Sequence, residues 1–158
     1  MLAITGRLLR TLGKDPDAPK GTQASLWNTR GLARFYLGDY TRARKLLRKS
    51  LHLCREVKHQ AGISVSLGNL GILAWSEGDI PRARRIQRRS GRVATRAGLA
   101  AQTAKALHNL GNIANAEGRL LAARSRYRRS LVIATRLGDD ASTSLSLSSL
   151  GDSHLGAN

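Results

Sequence analysis

The residues able to do chemistry are few. The 158-residue chain has four histidines (His52, His59, His108, His154), one cysteine (Cys54) and ten acidic side chains. The histidines have no metal-ligand spacing with one another or with Cys54. Asp39, Asp79, Asp139 and Asp140 fall beside expected helix ends, where carboxylates cap rather than catalyse. Serines crowd positions 142–149, yet no G-x-S-x-G follows a strand and no base is suggested. The reading is therefore of a protein with no catalytic constellation, no metal and no cofactor. Cys54 cannot form an internal disulfide and lies in an apolar arc, so it reads as a buried thiol in a reducing cytoplasm.

Charge is the second resource. Lys and Arg number 27 against 10 acids, a formal net charge of +17. Arg44, Arg84 and Arg124 form a column at intervals of 40 residues, as do Arg48, Arg88 and Arg128, and again Lys49, Arg89 and Arg129. Within an amphipathic helix they mark one solvated face, which would attract an anion in a salt-dependent way. Only Tyr127 is interleaved with them, so base stacking is poorly supplied and sequence-specific reading is not indicated. Coding bias on a solvated face accounts for the same pattern.

The elements that must position these groups follow from the period. Gly31, Gly71, Gly111 and Gly151 recur every 40 residues, as do Gly38, Gly78 and Gly118, then Ala43, Ala83 and Ala123, then Ser50, Ser90 and Ser130. Each unit contains two helices. The first is expected at about 24–37, 64–77 and 104–117, with a fourth copy from about 144; the second at about 40–57, 80–97 and 120–137. Gly38, Gly78 and Gly118 suit a left-handed helix end, Asp39 and Asp79 suit N-caps, and Pro81 suits a first turn. Gly98 and Gly138 close later second helices, with Lys58 at the matching place.

At about 100° per residue, Ala43, Leu46, Leu47, Ser50, Leu53, Cys54 and Val57 share an arc opposite the cations. A glycine within a helix costs about 1 kcal/mol relative to alanine, so four at one register imply close helix contact, with Ala43, Ala83 and Ala123 as the facing surface. Residues 1–22 read as a short helix and a Pro/Lys/Asp linker; residues 23–158 read as an array of units at about 24–60, 61–100 and 101–140, with a partial fourth at 141–158. No run approaches the ~18–20 apolar residues of a membrane span.

The motifs LGNLG (67–71), LHNLG (107–111) and LSSLG (147–151), followed by a G-D turn, an alanine and an S-L pair, resemble tetratricopeptide repeats, in the 40-residue form of kinesin light chains and many bacterial regulators. Four departures stand out: Arg30 and Arg34 in the first copy, Arg119 for the capping Asp, and Gly91 for a Leu. The resemblance implies an all-α, right-handed superhelical solenoid whose first helices line a concave groove. The groove residues would be Asn28, Leu32, Phe35 and Tyr36; then Ile72 and Trp75; then Lys105, His108, Asn112 and Asn115.

In the family the asparagine of N-L-G often bonds a bound peptide. Asn69 and Asn109 match it, and they equally suit ties between adjacent helices. The two-lysine, one-arginine carboxylate clamp is not reproduced, although Lys105 and Asn112 match fragments. The implied role is a protein-interaction scaffold or adaptor in the cytoplasm. Its partner would be a peptide or acidic protein in the groove, and the chain reads as a piece of a larger bacterial regulator. Non-specific nucleic-acid or polyanion binding by the arginine-rich outer face is the other reading. No membrane is involved, and the oligomeric state is open.

Overall fold

In the computed structural model, which describes residues 18–155, seven helices follow one another with only short turns between. They are α1 (Lys20–Tyr36), α2 (Tyr40–Glu56), α3 (Gln60–Ser76), α4 (Ile80–Arg96), α5 (Ala100–Ala116), α6 (Leu120–Leu137) and α7 (Asp140–Leu155). Each first helix starts a full turn before its expected position: at Lys20, Gln60, Ala100 and Asp140. The reason is local. Residues 60–63 and 100–103 carry no strong apolar period, and His59 and Leu99 stand at the N-caps of α3 and α5 without a capping side-chain hydrogen bond. Residues 20–22, read as linker, belong to α1; the helix expected further upstream lies outside the described residues.

The turns obey the chemistry of the sequence. Gly38, Gly78, Gly98, Gly118 and Gly138 all hold positive φ, between 66° and 78°. Lys58, at φ 53°, is the one described non-glycine in that region. Asp39 accepts from the Arg42 N–H and Asp79 from the Arg82 N–H, both at 3.1 Å. Asp139 does the same for Ser142 at 3.0 Å. Arg119, standing where an Asp would cap, gives α6 no side-chain cap.

Consecutive helices pack as antiparallel neighbours, and α1–α3, α3–α5 and α5–α7 also touch, whereas the backbones of α2, α4 and α6 do not approach one another. First helices therefore form a tight inner row and second helices fan out behind it. This asymmetry explains the sequence patterns. α3 is covered on two sides, burying Ser64, Ser66, Leu67, Leu70, Leu73 and Ala74. α2 buries one stripe: Ala43, Leu47, Ser50, Leu51 and Cys54. Leu51, outside the expected arc, is buried, whereas Val57 is exposed at the C-cap.

The helical glycines do face a neighbour, but the facing residue differs from expectation. Ala43, Ala83 and Ala123 are fully buried, yet the side chain lying on each glycine is Leu47, Gln87 or Tyr127, sixteen residues on. A Cβ at Gly31 would sit 2.8 Å from Leu47 Cδ2, one at Gly71 2.7 Å from Gln87 Nε2, and one at Gly111 2.6 Å from Tyr127 Cδ1. The glycines are recesses for side chains. Gly151 meets nothing within 4 Å.

Serines finish the junctions. Ser90 Oγ donates to the Ser64 carbonyl (2.8 Å) and Ser130 Oγ to the Ala104 carbonyl (2.9 Å), tying both helices of a unit. Ser50 and Ser66 share a buried hydrogen bond at 3.0 Å, which ties one unit to the next. Arginines tie units from outside. Arg44 pairs with Glu77, Arg84 Nη1 lies 3.0 Å from Glu117 Oε1, and Arg124 donates to the Ser153 carbonyl at 2.6 Å and 3.2 Å.

Two substitutions at one register should have opposite signs. Gly111→Ala should lower the denaturant-derived stability by about 1–3 kcal/mol, since Tyr127 must leave its recess. Gly151→Ala should raise it by up to about 1 kcal/mol through helix propensity alone. Lys58→Gly should also stabilise, by about 1 kcal/mol, by relieving the left-handed backbone. Urea titrations followed by circular dichroism measure all three.

Candidate functional site

The inner row of first helices forms the concave face. Two hollows open on it. The larger, of about 220 Å³, lies between α1, α3 and α5, with Asn28, Asn69, Ile72, Lys105 and Asn109 around it. The smaller, of about 180 Å³, is lined by Ile72, Trp75, Asn109, Asn112 and Ile113. These residues come from successive turns of three helices, because a residue and its counterpart 40 positions on share one register.

Gln87 joins the two hollows and is not among the groove residues expected from the sequence. It extends from α4 through the recess at Gly71, where the other units place Leu47 and Tyr127. Its Nε2 donates to the Gly68 carbonyl at 2.9 Å. Its Oε1 is buried with no hydrogen-bond partner among the described residues, and the residue is only 1% exposed. An unpaired buried carbonyl costs about 1–3 kcal/mol. The signal in the sequence is a lone glutamine at a position otherwise apolar or aromatic.

The remaining expected groove residues divide sharply. Asn69 Nδ2 donates to Asn28 Oδ1 at 2.9 Å, and the Asn69 side chain borders the larger hollow. Asn109 makes no side-chain hydrogen bond among the described residues, and Lys105 is exposed at the rim. Phe35 turns inward instead, packing on the Leu47–Leu51 core and stacking on Tyr40 at 5.8 Å. Tyr36 is 81% exposed and lines neither hollow; nor does Asn115, which is exposed on the last turn of α5. Leu32 does line the larger hollow.

His108 is buried, and Asn112, half-buried on the wall of the smaller hollow, has its amide engaged. Tyr127 Oη donates to Asn112 Oδ1 (2.7 Å), and Asn112 Nδ2 lies 3.3 Å from His108 Nε2, with the His108 and Tyr127 rings 5.4 Å apart. His108 is buried, and burial holds its pKa below the ordinary value; burial likewise raises the Tyr127 phenol. Cys54 is a buried thiol whose pKa burial raises, which suits packing rather than nucleophilic attack. No group of three His, Cys, Asp or Glu side chains able to hold a metal ion occurs among the described residues.

The outer face is less uniform than its three columns suggest. Arg44, Arg84 and Arg124 are the inter-unit ties described above, and Lys49 Nζ sits 3.8 Å from the Trp27 ring centroid in a cation–π contact. Arg48, Arg88, Arg89, Arg128 and Arg129 are exposed without a carboxylate partner among the described residues. Glu77 and Glu117, which hold the first two members of that column, are themselves a 40-residue pair in the sequence.

A tetratricopeptide repeat family model matches residues 22–96 and 102–158. Among solved structures, BtubC (BKLC) from P. vanneervenii superimposes with a TM-score of 0.81 at 18% identity, over 98% of this chain and 63% of that one. The likeness is one of fold, and this chain spans under two thirds of BtubC. No curated protein matches the sequence. No helix among the described residues is long and apolar enough to cross a membrane.

Because His108 is held neutral in the folded chain, the unfolded chain takes up its proton first as pH falls. Its contribution to stability is thus intact above about pH 7 and is lost as pH drops through the ordinary histidine range near 6.5. The urea midpoint of the wild type should fall between about pH 7 and pH 5, and His108→Leu should flatten that slope.

Proposed function

Because the chain belongs to the tetratricopeptide repeat family, whose repeats generally mediate protein–protein interaction, we propose that it is a scaffold or adaptor that binds an extended peptide segment of a protein partner along its concave face. The observation that carries this reading is Gln87 Oε1, a buried acceptor without a partner among the described residues, at the junction of the two concave hollows. An extended peptide carries a backbone N–H every second residue on each side, a donor that an unpaired carbonyl lacks. Asn69 and Asn109 add amides on either flank, and Ile72 offers an apolar surface 37% exposed between them. Lys105 at the rim and the net charge of +17 favour an acidic segment. The protein need not be the whole of its natural polypeptide, and a role within a larger bacterial regulator of the cytoplasm fits this reading.

Polyanion binding by the outer arginines is the competing reading, and salt separates the two. Peptides selected against the chain by phage display, then measured by fluorescence anisotropy, should keep most of their affinity between about 0.15 M and 0.5 M salt. Gln87→Leu places in unit two the residue that unit one already carries at position 47, so the fold should persist. It should weaken the selected peptide by about 3–10-fold, the worth of one hydrogen bond. Asn109→Ala should act in the same direction, whereas Arg88→Glu with Arg89→Glu should have little effect. Binding that ignores Gln87 and Asn109 but collapses with the arginine pair would remove the groove from consideration.

A further inference from the structure

The outer face holds a cleft of about 770 Å³ between α4 and α6, floored by α5. It arises at one departure from the repeat. Unit one carries Leu51 and unit three Leu131 at the register where unit two has Gly91. Leu51 is buried in the core of its unit, 7% exposed. Gly91 carries no side chain there and Ala106 closes on it, a Cβ at Gly91 lying 3.3 Å from Ala106 Cβ, where the neighbouring units have Ser66 and Ser146; the open volume is the cleft beside them. The floor is apolar: half-buried Leu107 and Leu110, with Ala106 buried beneath.

The rim is cationic. Arg85, Arg88, Arg92 and Arg96 run along α4 at intervals of three and four residues, a stripe about 16 Å long at helical rise, and Arg129 faces them from α6. None of these five has a carboxylate partner among the described residues; the sixth arginine of the cleft, Arg84, is paired with Glu117. The crowding is felt nearby, since burial and the charges of Arg119, Arg88 and Arg129 lower the pKa of Arg126. Clustered like charges repel, so they stay together at a cost that an anionic visitor removes.

We propose that this cleft is a second docking site, taking an acidic protein segment that seats one leucine-sized side chain in the hollow beside Gly91, on Leu107 and Leu110, and sets carboxylates on the arginine stripe. Charge alone suits any polyanion, and the floor decides among them. A phosphodiester backbone satisfies arginines but leaves Leu107 and Leu110 in water, and no aromatic side chain lines the cleft to stack on a base. An acidic segment with one bulky aliphatic group satisfies both surfaces at once. The apolar insertion supplies the register that bare charge attraction does not.

The test uses three labelled probes at about 0.15 M salt: a glutamate-rich peptide with a central leucine, the same peptide with serine there, and an oligothymidylate of similar charge. Fluorescence anisotropy should show the leucine peptide binding at least about tenfold tighter than the serine peptide. Gly91→Leu should erase that difference and leave oligothymidylate binding unchanged, with circular dichroism reporting the fold. Leu107→Gln, at the partly exposed floor, should shrink the difference without refilling the hollow. Arg88→Glu with Arg92→Glu should weaken both peptides by about tenfold or more. Gln87→Leu should alter none of these values, which separates this cleft from the concave face. Equal binding of the two peptides to the wild type, or a leucine preference that survives both Gly91→Leu and Leu107→Gln, would overturn the proposal, as would an oligothymidylate that binds as tightly as the leucine peptide.

Discussion

A first helix and the second helix after it can lie close only because one residue per unit has no side chain. Gly31, Gly71 and Gly111 are recesses into which α2, α4 and α6 insert Leu47, Gln87 and Tyr127. Everything else is arranged around that insertion. The neighbouring Ala43, Ala83 and Ala123 are sealed completely, the serines at 50, 90 and 130 find partners on the opposing helix, and the arginines at 44, 84 and 124 reach across to the next unit. Interiors packed to this density transmit small changes of volume directly, which is why a single methyl group at the glycine register matters.

The inserted residue is also where the three units diverge, and the divergence decides what each unit can do. Leucine at 47 makes unit one a plain hydrophobic contact. Tyrosine at 127 reaches Asn112 and closes a hydrogen-bonded cluster with His108, so unit three is polar inside, with His108 Nδ1 buried and unpaired among the described residues. Glutamine at 87 satisfies one end of its amide on Gly68 and leaves the other buried and unpaired where the two concave hollows meet. Unit two also carries Gly91, one turn on along the same helix and facing Ala106 of α5. Both features that point to a visitor therefore belong to α4, Gln87 bordering the concave hollows and Gly91 the cleft towards α6.

The period of forty makes the helix pairs, their turns and their caps legible in the sequence, since Gly38, Gly78, Asp39 and Asp79 each act through local backbone chemistry. Helix starts are less legible, because entries such as Gln60 and Ala100 have no cap or proline to announce them. The partners of the glycines stay hidden for a geometric reason: a residue sixteen positions on, in an antiparallel helix, meets the glycine, and helical spacing within one element cannot reveal that. Of the expected concave residues, Phe35, Tyr36, His108 and Asn115 line neither hollow, and which of the others are free is not legible. Asn112 and Asn109 look alike in sequence, and only the position of Tyr127 distinguishes an amide already engaged from one still open. The same holds outside, where Arg84 and Arg88 sit on one face but only the first has Glu117 within reach.

The fan of the second helices has a mechanical corollary. With α3 and α5 in contact and α4 and α6 held apart, the boundary between units two and three is closed on the inner side and open on the outer, the geometry in which any bending would pivot on the inner contact. A body too large for the outer wedge must swing α4 and α6 further apart about that contact, which steepens the bend and draws together the lips of the inner hollow at Asn69 and Asn109. Loading one side of the array thus changes the width available on the other.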